Sequence, residues 1–328
     1  MPIVTVTSSW PATEVLVINV KIGALCWNQY AEWPQLLHAG VRADELGYDS
    51  LWTWDHLYPI VGDSHGPNYE GWLTITAWAQ ATKRATVGLM VGANTFRPPT
   101  LTAKMATTLD HISGGRAILG IGGAWFEEEH EDFGLDFGSG FPERLRWLGE
   151  ALPVMRGMLD GTEPTAKGPH YHGRDTRNLP APLQAHLPIC IGGGGEQVTL
   201  KLVAKYGDMN NIGGTVEQVK RKDDILVGHC ETVGRDPAEI ERTMGIGTVF
   251  IRDDRAEAER LFREAFDRNR VANRWTNQPV GTPGDVAEKL APYLDLGYRH
   301  LIAGMPADYD EESMARFATE VKPLLERG

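Results

Sequence analysis

The sequence predicts an α/β chain closed into a single (β/α)8 TIM barrel with an insertion before strand 5. Three observations predict it. Short apolar or β-branched runs alternate with longer amphipathic ones, the pattern of parallel strands joined by helices. The alternation yields eight strands, each followed by at least one helix, which fits a closed barrel better than an open doubly wound sheet. No low-complexity linker divides the 328 residues, so one domain is expected over 1–328, with 1–18 as an N-terminal extension and 160–187 as an insertion loop.

In order, the expected elements begin with strand 19–28 and a helix over 33–47 that stops at Gly47. Strand 49–54, "DSLWTW", leads to helix 71–82, and "ATVGLMVGA" (85–93) supplies the third strand before helix 99–113. "RAILGIG" (116–122) is the fourth, followed by helix 142–159. The stretch 160–187 is long, irregular and rich in Pro, Gly and His, the composition of a lid or interaction element. The cadence resumes with strand 188–193, helix 196–206, strand 208–213 and helix 215–233. Strand 243–251, helices 255–270 and 283–296, strand 299–304 and helix 310–326 complete it.

Composition narrows the function. Hydrophobic content of 42 % and charged content of 23 % are those of a globular protein able to bury a core without staples. Cys26, Cys190 and Cys230 have no C-x-x-C spacing and sit among apolar neighbours, as buried free thiols of a cytoplasmic protein do. The N-terminus lacks a basic n-region, and no stretch approaches the roughly 18 continuous apolar residues of a membrane helix. A net charge of −12 argues against nucleic acid and leaves a small molecule as the expected partner.

Active sites of (β/α)8 barrels lie where the strands end. The residues there are Asp55 and His56 after strand 2, Gly92, Ala93 and Asn94 after strand 3, and Gly122 to Trp125 after strand 4. Gly192 to Gly195, Asn210 to Gly214, and Gly304 with Met305 follow. Glycine dominates, as close approach of backbone to a flat or phosphorylated ligand requires. The four glycines of "ICIGGGGEQVTL" precede a helix and form an anion site of the kind phosphates occupy. A Walker loop is excluded, because no G-K-[ST] is present. A dinucleotide fingerprint fails too, because Trp125 stands where its third glycine belongs; a platform for a planar ring fits better.

"FEEEHEDFG" (126–134) reads as a solvated acidic turn, since a single Glu-x-x-His pair is half of a di-iron motif. "HYH" (170–172) has no third ligand, so no metal is expected. Asp55 and His56 remain as the catalytic pair, with imidazole able to act as acid or base near neutrality.

The ordered set "LGYDSLWTWDHL", "GDSHGPNYEGW", "GANTFRPPTLTAKMATTLDHISGGRAILGIGGAWFEEEH" and "ICIGGGG…KYGDMNN" resembles the luciferase-like monooxygenase superfamily, more narrowly its actinobacterial deazaflavin-dependent branch. The likeness runs from about residue 20 to the C-terminus. It implies coenzyme F-420, with FMN as the alternative, bound at the C-terminal face. It also implies a non-proline cis peptide after strand 3, mapped to Val91-Gly92-Ala93 and placed at Val91-Gly92. The expected cofactor-binding residues are Asp55, Val91, Gly92, Ala93, Asn94, Gly122, Gly123, Trp125 and Gly193. The same likeness implies that Gly194 and Gly195 carry the phosphate, helped by Asn211 and Gly213. His56 faces the substrate. Arg97, Lys104, Arg144 and Arg146 are candidates for a basic rim around the coenzyme's anionic tail.

Alcohol-oxidising relatives carry a glutamate after strand 4 where this chain has Trp125, which points to reduction of an activated C=C, C=N or nitroaromatic group. The alternatives are a monooxygenase using reduced FMN and oxygen, and a flavin-binding barrel without catalysis. A homodimer is expected by analogy with the family.

Overall fold

The computed structural model describes residues 19–272 and 278–327. The expected extension over 1–18 lies outside them.

Eight parallel strands close into a barrel: β1 (Lys21–Cys26), β2 (Ser50–Thr53), β3 (Thr86–Leu89), β4 (Ala117–Gly122), β5 (Ile189–Gly192), β6 (Met209–Ile212), β7 (Glu241–Thr248) and β8 (His300–Met305). Each pairs with its neighbour in sequence, and β1 with β8 closes the ring from Lys21↔His300 to Cys26↔Met305. Outside lie α1 (Trp33–Leu46), α2 (Gly71–Ala81), α3 (Pro99–Ser113), α4 (Glu127–Asp132), α5 (Phe141–Leu159), α6 (Thr199–Tyr206) and α7 (Val216–Val233). The outer set ends with α8 (Arg255–Arg268), α9 (Pro283–Asp295), α10 (Glu311–Arg316) and α11 (Lys322–Glu326).

The helix ends follow their caps. α1 stops at Gly47, whose left-handed φ of 90° returns its amide to Ala43 and Asp44. A Thr215–Gln218 capping box opens α7, and Gly234 closes it. Three boundaries differ from expectation. α6 begins at Thr199, three residues late, because the glycine turn runs on through Glu196–Val198. The seventh strand breaks at a register shift between Gly245 and Gly247, so Phe250–Ile251 pairs with Val280–Gly281 outside the barrel. The six-residue α4 was not expected at all.

The barrel centre is plugged by Trp52, Ile118, Cys190, Met209 and Ile302, all buried. Room for Trp52 comes from glycine: a Cβ at Gly88 would stand 2.8 Å from its ring and one at Gly23 3.1 Å from its Nε1. Trp52 donates to Ser50 Oγ (2.6 Å), which in turn meets His300 Nε2 (2.7 Å). A second apolar layer separates strands from helices. The three cysteines are free and buried, and burial pushes the thiols of Cys26 and Cys190 up to about 12. No helix among the described residues is long and apolar enough to cross a membrane.

The segment between α5 and β5 carries a short antiparallel ladder, Ala166–Lys167 with His172–Gly173. Within "HYH", His170 stacks on Trp147 (3.7 Å, 9°), and Tyr171 exchanges hydrogen bonds with Asn94.

Candidate active site

A cavity of about 330 Å³ opens at the C-terminal ends of β2 to β6. A larger and more open hollow of about 670 Å³ lies at the opposite end of the barrel, where β1, β7 and β8 begin. Its walls are charged pairs, including Lys21–Glu241 and Arg242–Asp223. Only the first hollow lies where the strands deliver their side chains.

Ten of the expected residues share that cavity: Asp55 and His56 from β2, Val91, Gly92 and Ala93 beyond β3, Gly122, Gly123 and Trp125 from β4, Gly193 from β5 and Asn211 from β6. Four do not line it. Asn94 is buried and turned toward Tyr171, accepting from its hydroxyl (2.7 Å) and donating to it (3.0 Å). Gly194, Gly195 and Gly213 lie outside its wall.

β3 stops at Leu89, and Met90 N still donates to Thr53 O (2.9 Å). Pairing resumes one turn later, when Gly92 and Ala93 join Ile121 and Gly122. The chain redirects between those ladders, so the non-proline cis peptide falls at Met90–Val91, one bond earlier than expected. Val91 then crosses the barrel mouth. A Cβ at Gly192 would stand 2.6 Å from its side chain and one at Gly122 2.8 Å, so both positions need glycine for Val91 to lie there.

Asp55, 2 % exposed, holds this bulge from below. Its carboxylate accepts from Ala93 N (2.9 Å) and takes a two-pronged grip from Arg97 (2.8 and 3.1 Å), while Arg97 also donates to Glu70 (2.8 Å).

His56 lies at the cavity wall with its ring edge-on to Trp125 (5.5 Å, 65°). Its Nδ1 is 2.8 Å from Glu129 Oε1, and the other oxygen of Glu129 accepts from Leu57 N (2.8 Å). Nε2 has no protein partner among the described residues. Trp125, 58 % exposed, and Phe141 form the outer wall. The turn carrying Trp125 is held at Ala124, whose φ is +59° and whose carbonyl accepts from Arg144 Nε (3.3 Å). His130 pins it from the other side, Nδ1 to Phe126 O (2.6 Å) and Nε2 to Thr95 Oγ1 (2.7 Å). Burial lowers the pKa of that imidazole from its ordinary value.

The expectation of a solvated turn at 126–134 is therefore corrected. Glu129 and His130 are 1 % and 0 % exposed and belong to the site's support. Arg97 and Arg144 are spent on Asp55 and Ala124. Lys104 donates to Leu179 O, and Arg146 pairs with Glu143. The cation beside the glycine turn is one the sequence reading missed: Lys222 of α7. A Cβ at Gly194 would stand 2.8 Å from its Nζ, which lies 3.5 Å from Gly213 O. No sequence signal marks it, since only the packing of α6 against α7 brings it there.

A slot walled by glycine backbone and Val91, with an aromatic outer face and a lysine beside a glycine turn, suits a flat ring carrying an anionic tail. The model of the luciferase-like monooxygenase family matches residues 16–319, and the chain belongs to that family. Among curated proteins it is 29 % identical to the F420-dependent glucose-6-phosphate dehydrogenase of Intrasporangium calvum, covering 93 % of this chain and 99 % of that one. The corresponding enzyme of Microbacterium testaceum is 28 % identical, over 95 % and 99 %. Among solved structures, an F420-dependent secondary alcohol dehydrogenase in complex with an F420-acetone adduct shares the fold with TM-score 0.80 at 20 % identity, over 94 % of this chain and 99 % of that one.

Proposed function

We propose that this chain is an oxidoreductase that transfers a hydride between coenzyme F-420 and a small uncharged organic substrate. The observation that carries the reading is the glycine-walled slot with His56 and Trp125 at its mouth. The names of the curated relatives support the coenzyme.

Val91, Gly92, Ala93, Gly122 and Gly123 would take the ring, and the Gly193–Gly195 turn with Lys222 the phosphate-bearing tail. Bound F-420 supplies two-electron hydride chemistry. Asp55 is a positioning residue: with Arg97 it fixes the Ala93 amide and so the bulge under the ring. With the coenzyme held there, the walls would orient the substrate's reacting carbon, and such positioning is worth ~7–11 kcal/mol of a barrier. His56 Nε2 gives a proton to the atom beside the carbon that receives the hydride, or takes it back in the reverse direction, a contribution of ~10²–10⁴-fold.

Substrate class follows from the lining. Trp54, Ile60, Trp125 and Phe141 are apolar, and the one acidic side chain of the lining, Asp55, is already paired. Among the described residues no lysine or arginine lines the cavity, so a phosphate ester would enter with its charge unpartnered. The reading favours reduction of an activated C=C, C=N or nitroaromatic group. Turnover of reduced F-420 against a panel of such acceptors, with glucose 6-phosphate and oxidised F-420 as the contrast, tests it. Activity with the planar acceptors and none with the sugar phosphate is expected; the opposite outcome overturns the substrate class.

A further inference from the structure

We infer that Glu129 is a positioning residue that sets the tautomer of His56, so that Nδ1 carries a fixed proton and Nε2 is the atom that exchanges one with substrate. The inference rests on the proposed reading and deepens it.

Glu129 is almost fully buried, and each oxygen of its carboxylate meets a different donor: Nδ1 of His56 and the amide of Leu57, both at 2.8 Å. A carboxylate only accepts, so Nδ1 must hold its hydrogen. In the neutral ring the lone pair is then on Nε2, the nitrogen with no protein partner among the described residues. The neighbouring acids of α4 hold the rest of the same loop. Glu128 accepts from Ser64 Oγ (3.2 Å) and Asp132 from the Tyr58 hydroxyl (3.0 Å). The acidic run therefore fastens the segment that carries His56, with Glu129 as the contact that reaches the ring.

The proton count closes around this arrangement. During reduction, the imidazolium releases its Nε2 proton to the atom beside the carbon that accepts hydride from the reduced deazaflavin. The ring is left as the neutral Nδ1–H form, still bonded to Glu129. Solvent restores the proton before the next turnover. The buried carboxylate also stabilises the imidazolium, as the third member of a hydrogen-bonded triad does.

The isosteric change Glu129→Gln gives a specific expectation, because only one oxygen remains for two donors. The Leu57 amide can only donate, so it takes that oxygen and the new NH2 faces His56. Nδ1 then becomes an acceptor, and the proton moves to Nε2. ¹⁵N NMR of the imidazole in cofactor-free protein, at a pH where His56 is neutral, reads this directly. The expected result is Nδ1–H in the native protein and Nε2–H in E129Q. Turnover with F-420 falls ~10²–10⁴-fold, while coenzyme affinity changes less than about twofold. Native protein in the Nε2–H form overturns the inference even if E129Q does not fold. Unchanged tautomer and turnover in a folded E129Q overturn it too, with F-420 activity intact. If the tautomers behave as expected but F-420 does not bind, the proposed function fails and the role of Glu129 toward His56 stands.

Discussion

At the scale of single residues, the Asp55–His56 pair divides its labour in a way that residue type alone does not predict. The place of both at the cavity was legible, because a polar pair ending an apolar strand stands at the C-terminal face of the barrel. Their partners were not legible, since Arg97, Glu129 and Ala93 lie 42, 73 and 38 positions away and reach the pair only through the closed barrel. Asp55 faces Arg97 and a backbone amide, so Asp55→Ala leaves a half-buried guanidinium short of its main partner. The expected cost is ~3–5 kcal/mol in urea unfolding; a loss under 1 kcal/mol means the pair is not holding the bulge. His56, by contrast, has a free nitrogen at the cavity. His56→Ala is expected to lower turnover ~10²–10⁴-fold with little change in coenzyme affinity, and equal losses in both would assign the imidazole to binding.

Strands and long helices were legible almost to the residue, because apolar periodicity and caps such as Gly47 and Thr215 announce them. α4 was not. "EEEHED" has no apolar face, and its burial is achieved by hydrogen bonds from Leu57, His56 and Thr95. The cis peptide was assigned to the right bulge but one bond late, since only the ladder ends at Leu89 and Gly92 locate it. The glycines of β4 and β5 serve two ends that alanine substitution separates. At Gly120 a Cβ would stand 1.8 Å from the Leu89 carbonyl, backbone that cannot give, so Gly120→Ala is expected to abolish soluble folded protein. At Gly192 the obstacle is the Val91 side chain at 2.6 Å, which can turn. Gly192→Ala is therefore expected to fold with a loss of ~1–3 kcal/mol and to weaken F-420 binding about tenfold or more. Native affinity in that variant would show that Val91 does not floor the coenzyme slot.

Across the whole molecule, the candidate site sits at one end of the barrel and a charged lock at the other. Lys21 and His300 both bond Glu241 at 2.8–3.0 Å, and Ser50 carries the chain inward to the Trp52 plug. Burial raises the Glu241 carboxyl, but the bonds to His300 and Lys21 outweigh it and hold its pKa at about 2, against 4.5 when free. A lowered carboxyl pKa means the unfolded chain binds the proton first as acid is added. The stability Glu241 contributes is whole above pH 4.5 and drains away as pH falls toward 2. Native protein should therefore lose more stability between pH 5 and pH 3 than Glu241→Gln does, as read by denaturant midpoints; parallel losses would assign acid sensitivity elsewhere. The two ends share one plug, and the site depends on the barrel being closed. The central claim is that the glycine-walled slot takes a deazaflavin. Titration of the purified protein with oxidised F-420 and, separately, with FMN tests it most directly. Saturable micromolar binding of F-420, weakened in Gly192→Ala, with FMN much weaker, is the expected result; tight FMN binding with none for F-420 would contradict it.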